Sequence, residues 1–155
     1  MTPKTETKTR VRDVMSRNPI CVTGAADARE LARLFDENDV SGVPVVDAQD
    51  RVVGVVSRTD LLHRCVEGPP GSRPGGAFLE ALGESASLGG FDPEELGLVQ
   101  DFMTDPPVTA TPDETVKAVA RRMAEERVHR IVVIDERGHA VGIVTTLDIM
   151  SVFPG

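Results

Sequence analysis

Gly54-Val-Val-Ser-Arg-Thr-Asp60 and Gly142-Ile-Val-Thr-Thr-Leu-Asp148 decide how this chain folds. Each runs glycine, two aliphatic residues, a hydroxyl residue, two variable residues and aspartate, and the two stand 88 positions apart. The same offset extends upstream. Asp13 falls on Asp101, Met15 on Met103, Pro19 on Pro107, Thr23 on Thr111, Val40 on Val128 and Asp47 on Asp135. Fourteen identities lie between Arg12 and Leu62 without one gap, too many for chance. A constant period means one structural unit used twice, here a unit of about 50 residues.

Each copy reads alike. Ile20-Cys-Val-Thr23 and Val108-Thr-Ala-Thr111 are short β-type runs. Val116, Val119, Ala120 and Met123 then recur at helical spacing, as do Ala28, Leu31, Ala32 and Phe35. Thr111-Pro112-Asp113-Glu114 reads as a helix start with Asp113 as N-cap. Two aliphatic strands follow in each copy, joined by Asp47-Ala-Gln-Asp50 or by Asp135-Glu-Arg-Gly138, where Gly138 supplies a positive φ. A last helix starts at Ser57 or Thr145. The unit is β-α-β-β-α, and the fold class is α+β. A sheet this small cannot bury both faces alone, so the copies are expected to pack through their sheets.

The spacing divides the chain into a flexible tail at 1–10, repeats at 11–66 and 99–155, and a linker at 67–98. Gly68 to Gly76 is rich in proline and glycine and reads as a mobile connection. Ala77–Leu82 has room for a helical turn or two, and Asp92-Pro-Glu-Glu-Leu96 resembles a helix start. The linker reads as part of neither copy.

With no Trp or Tyr and five Phe, the core must be aliphatic. A formal net charge of −8 argues against a nucleic-acid polymer or an anionic membrane, both of which are bound through excess Lys and Arg. No run approaches the roughly 20 apolar residues a membrane span needs. Cys21 and Cys65 sit in apolar contexts without metal-ligand spacing, and buried free thiols suit a reducing cytoplasm. Ten acidic residues and one basic residue, Arg73, lie between Val66 and Val116, whereas Arg121, Arg122, Arg127, Arg130 and Arg137 follow closely. A phosphate-bearing ligand is therefore expected near that later basic group.

The repeated signature has two physical readings. Ser57-x-x-Asp60 and Thr145-x-x-Asp148 match a capping box. They also bring a hydroxyl and a carboxylate to the start of a helix, where free N–H groups favour an anion. A carboxylate there can accept hydrogen bonds from the cis hydroxyls of a ribose. The two roles are compatible. No metal-ligand cluster and no nucleophile–base arrangement can be read, so no catalytic site is expected.

Asp13-Val-Met-Ser16, Asp101-Phe-Met-Thr104, Ser41-Gly-Val-Pro-Val-Val-Asp47 and the twin glycine-to-aspartate signatures resemble tandem CBS domains, the Bateman module. The resemblance covers both repeats but not the linker. It implies two pseudo-symmetric clefts for an adenosine-containing ligand, each mixing the repeats. One would use Asp148, Thr145 and Ile143 with Val40 and Ile20 around the base. The other would use Asp60, Ser57 and Val55 with Val128 and Val108. His129-Arg130 replaces Ser41-Gly42 in the second copy and is similar to basic residues that face phosphate in the gamma subunit of AMP-activated protein kinase. Arg130 is thus expected at phosphate in the Asp148 cleft, with the Asp60 cleft less positive. His129 reads equally as a surface histidine. The ligands implied are AMP, ADP or ATP in an energy-sensing regulatory protein, or S-adenosylmethionine, which needs the ribose carboxylate but not the cation. A structural alternative is a dimerisation module with empty clefts. The resemblance also implies a homodimer acting on a separate effector protein.

Overall fold

Asp27 and Thr115 occupy equivalent places in the two copies, and each caps a helix. Their side chains accept the backbone N–H of Glu30 (2.9 Å) and of Ala118 (3.1 Å). The computed structural model describes residues 9–68 and 93–152. In chain order the elements of the first copy are α1 (Val11–Val14), β1 (Ser16–Arg17), β2 (Val22–Thr23), α2 (Ala28–Asn38), β3 (Gly42–Val46), β4 (Val52–Ser57) and α3 (Arg58–Glu67). A 3-10 turn at Pro93–Leu96 leads to the second copy: α4 (Val99–Phe102), β5 (Thr109–Ala110), α5 (Val116–Glu126), β6 (Arg130–Ile134), β7 (Ala140–Thr145) and α6 (Thr146–Met150).

Hairpins β3–β4 and β6–β7 are antiparallel, and β2 and β5 pair in parallel with β3 and β6. The sheets run β2-β3-β4 and β1-β7-β6-β5. The last order carries the architecture, because β1 belongs to the first copy and β7 to the second. Ser16 pairs with Ile143, and its repeat-mate Thr104 bridges Val55. The repeats therefore exchange their leading segments. Val99 is fully buried in the first core with Leu31, Phe35, Val45 and Val56. Val11 is fully buried in the second with Val116, Val119, Ile131 and Val133. Each exchanged valine removes apolar surface worth about 1.5–3 kcal/mol from water, an upper bound set by the extended-chain reference. The tips of the hairpins also meet, where Val52 N–H donates to the Gly138 carbonyl at 2.9 Å. The α+β class and the paired repeats of the sequence reading hold.

Four expectations need correction. Asp113 is not the N-cap, because helix α5 starts one step after Thr115. Asp113 instead pairs with Arg12, and Glu114 turns back to accept the Thr111 N–H and the Arg122 guanidinium. That arginine holds the Glu114 carboxyl below its usual range. The tail is anchored at its end: Val116 N–H donates to the Thr9 carbonyl at 2.9 Å, and Arg10 bridges Thr115. The end of the connection joins the first core, since Leu96 is fully buried within it and Leu98 bridges Asp27. Both thiols are free but only half-buried, and desolvation raises them above the ordinary cysteine value. The turns expected at Ala77–Leu82 and most of Gly68–Gly76 lie outside the described residues.

Candidate functional site

Strand β4 ends at Ser57 and strand β7 at Thr145, and each residue is the N-cap of the next helix. Ser57 N–H donates to Asp60 Oδ2 at 2.8 Å, while the Asp60 N–H donates to Ser57 Oγ at 3.1 Å. Thr145 N–H donates to Asp148 Oδ2 at 2.8 Å, and Asp148 N–H donates to Thr145 Oγ1 at 3.3 Å. The capping-box reading is thus realised in both copies. It engages one carboxylate oxygen. Oδ1 of each aspartate makes no hydrogen bond to the described residues, so it remains able to accept from a ligand hydroxyl.

Two clefts lie where the exchanged segments cross the hairpins. The first, about 370 Å³, is lined by Ile20, Val40, Ile143 and Thr145, with Ser16, Arg17, Asn18, Asp39, Ser41 and Arg130. The second, about 340 Å³, is lined by Val55, Ser57, Asp60, Val108 and Val128, with Thr59, Thr104, Pro107, His129 and Arg130. Both volumes fall at the lower end of the range for small-molecule sites. The second cleft gathers all five residues expected of it. The first gathers Ile20, Val40, Ile143 and Thr145, but Asp148 is not part of its lining and reaches that wall through Thr145.

Arg130 changes the expected division of charge. It does not serve the first cleft alone but lines both, and His129 lines the second. The Asp60 cleft therefore does not lack the His129-Arg130 pair. The reason is the pseudo-symmetry. Positions 42 and 130 are repeat-mates at the starts of β3 and β6, and their side chains meet: a Cβ on Gly42 would stand 2.7 Å from Arg130 Nε. The guanidinium occupies the space that a side chain at position 42 would need. Its Nη2 donates to Ser41 Oγ at 2.9 Å. Burial pulls its pKa below the usual arginine value while the Asp60 charge pushes the other way, and arginine stays charged under either influence.

Of the later basic group, only Arg130 reaches a cleft. Arg122 is committed to Glu114 and to the Thr109 carbonyl, and Arg127 is the left-handed C-cap of α5. Arg17, which the sequence reading passed over, lines the first cleft. A signal for it existed: its repeat-mate is Asp105, a charge reversal between copies, just as Gly42 to Arg130 is a gain of charge. Among the described residues no group of three or more His, Cys, Asp or Glu is placed to hold a metal ion. Among them, too, no helix is long and apolar enough to cross a membrane.

Comparison with known proteins names the class this geometry defines. The family model described as "CBS domain" matches residues 11–67 and 99–155. The chain belongs to the CBS domain family, as a pair of CBS domains of the regulatory type. An uncharacterized protein of Methanocaldococcus jannaschii is 30% identical over 150 residues, covering 91% of this chain and 89% of that one. Three other curated relatives are longer, and the chain spans 18% to 41% of their length. The CBS domain pair of protein MJ0100, solved with 5-methylthioadenosine and S-adenosyl-L-methionine, superposes with TM-score 0.68 at 25% identity, covering 94% of this chain and 95% of that one. CBSX2 of Arabidopsis thaliana in complex with AMP gives TM-score 0.68 and 25% identity over 92% of this chain and 94% of that one.

Proposed function

We propose that the chain is a non-catalytic regulatory module that binds an adenine nucleotide, AMP, ADP or ATP, in its clefts. One observation carries this reading. The second cleft joins apolar walls (Val55, Val108, Val128), a carboxylate with an open oxygen (Asp60) and a guanidinium (Arg130) in one cavity. Those are the three chemistries of a nucleotide. The aliphatic side chains sandwich the base, Asp60 Oδ1 accepts ribose hydroxyls, and Arg130 meets phosphate as a fork. Arg17 and Arg130 both line the first cleft, and Asp148 accepts the N–H of Thr145 on its wall. S-adenosylmethionine is the weaker candidate, because two guanidinium groups oppose a sulfonium cation. That CBSX2 was solved with AMP, and MJ0100 with methylthioadenosine and S-adenosylmethionine, supports an adenosyl ligand of some kind. We assign the module to a cytoplasmic energy-sensing role, acting as a homodimer that transmits its ligand state to an effector.

Calorimetric titration with AMP and with adenosine separates the residue roles. A charge-assisted hydrogen bond contributes about 1.5–3 kcal/mol. Asp60→Ala is therefore expected to weaken both ligands in its cleft by about 10- to 100-fold. Arg130→Ala is expected to weaken AMP and leave adenosine nearly unchanged. Equal losses of both ligands in Arg130→Ala would remove Arg130 from the phosphate site. Unchanged affinity in Asp60→Ala and Asp148→Ala would leave these aspartates as helix caps only.

A further inference from the structure

We propose that Arg130 couples the two clefts, so that a phosphate-bearing ligand in one weakens the binding of a phosphate-bearing ligand in the other. The inference rests on the nucleotide reading above and adds its regulation. Arg130 lines both cavities. Pseudo-symmetry would allow two cations here, one from each repeat, but position 42 is glycine and its place is filled by the Arg130 side chain. One guanidinium therefore stands between two clefts. Partners on each side compete for it. Ser41, on the first cleft, accepts from Nη2 at 2.9 Å, and Asp60, on the second, attracts it electrostatically.

A phosphate bound in the first cleft draws the fork toward Ser41 and Arg17. The second cleft is then left with the Asp60 carboxylate facing an incoming phosphate and no arginine to offset it. A phosphate in the second cleft takes the fork away from Ser41, leaving Arg17 in the first. If both clefts fill, two phosphates lie within reach of a single guanidinium. The second phosphate then forgoes a charge-assisted hydrogen bond to that fork, which corresponds to a weakening on the order of ten-fold. Adenosine carries no charge to compete for Arg130, so it is expected to bind the two clefts independently. The coupling is electrostatic and must shrink as salt rises.

The clefts differ in intrinsic affinity, so the test compares the parent with variants in which one cleft is closed. Ile20 is 41% exposed on the lining of the first cleft, and Thr59 is exposed on the lining of the second. Ile20→Trp and Thr59→Trp therefore block each cleft from its rim. AMP affinity is measured by calorimetry in each blocked variant, then in the parent. The expected result is that the second AMP binds the parent about ten-fold more weakly than the blocked variants predict. That gap narrows in about 0.5 M NaCl, is absent for adenosine, and disappears in Arg130→Ala and Arg130→Gln. A parent isotherm equal to the sum of the two blocked variants overturns the coupling while leaving the nucleotide reading intact. Failure of one blocked variant to bind AMP at all also overturns it. Absence of both AMP and adenosine binding in the parent overturns both readings together.

Discussion

Met15 and Gly142 show how the recurrent residues of the two repeats act on one another. A Cβ on Gly142 would stand 2.4 Å from the Met15 sulfur, and one on Gly54 would stand 2.5 Å from that of Met103. Each methionine, carried by an exchanged leading helix, fills the space over the glycine in the other repeat's hairpin. Gly142→Ala is accordingly an overpacking change, expected to cost about 1–3 kcal/mol and to lower the melting temperature by roughly 3–10 °C. Met15→Ala removes the clash, so the double variant should lose less than the two single losses added together. The Ser16 carbonyl, 3.0 Å from the same point, limits the recovery. Strict additivity in thermal melts would contradict the contact. The sequence shows Met15 and Gly142 as separate pieces of a repeat. Their pairing was not legible, because it depends on the exchange of segments and no local pattern records that. The same blindness explains Arg130, whose side chain crosses from its own repeat into the space of the other.

Among the elements, the long helices and hairpins were legible because their apolar spacing is regular. Helix α2 buries Ala28, Leu31 and Phe35, and α5 buries Val116, Val119 and Met123. The two-residue strands β1, β2 and β5 are too short to carry a period, so their partners had to come from the structure. Helix α5 begins after Thr115 rather than Asp113 for a reason visible in the repeat itself, since Thr115 is the mate of the cap Asp27. The closing helices pose a different question. Leu62 on α3 is 60% exposed, and Leu147 and Met150 on α6 are 78% and 62% exposed. Leu62 and Met150 are repeat-mates, so the pair presents two equivalent apolar helix faces. We assign these faces to the proposed homodimer, where covering them removes large aliphatic groups from water. Sedimentation equilibrium should find the parent dimeric and the Leu62→Glu/Met150→Glu variant monomeric with an unchanged melt of secondary structure. A monomeric parent, or a variant that stays dimeric, would place the dimer elsewhere or nowhere.

At the scale of the whole molecule, a chain of net charge −8 concentrates guanidinium groups where its halves meet. Arg17 and Arg130 border the first cleft, and Arg130 with His129 borders the second. The duplication creates two clefts by symmetry, and single substitutions between the copies then make them unequal. Fold and clefts follow from the repeat, whereas the choice of ligand follows from the places where the copies differ. Whether these clefts bind an adenine nucleotide is decided by a thermal-shift series with AMP, ADP, ATP, S-adenosylmethionine and NAD. At a concentration about a hundred times Kd, a ligand that binds only the folded chain adds about 2.7 kcal/mol of stability. For a chain of this size that corresponds to a rise in melting temperature of roughly 5–10 °C. Such a rise is expected with at least one of the three adenine nucleotides, larger than that with S-adenosylmethionine. An unchanged melting temperature with every adenosyl compound at millimolar concentration would contradict it and leave the clefts as structural seams between the repeats.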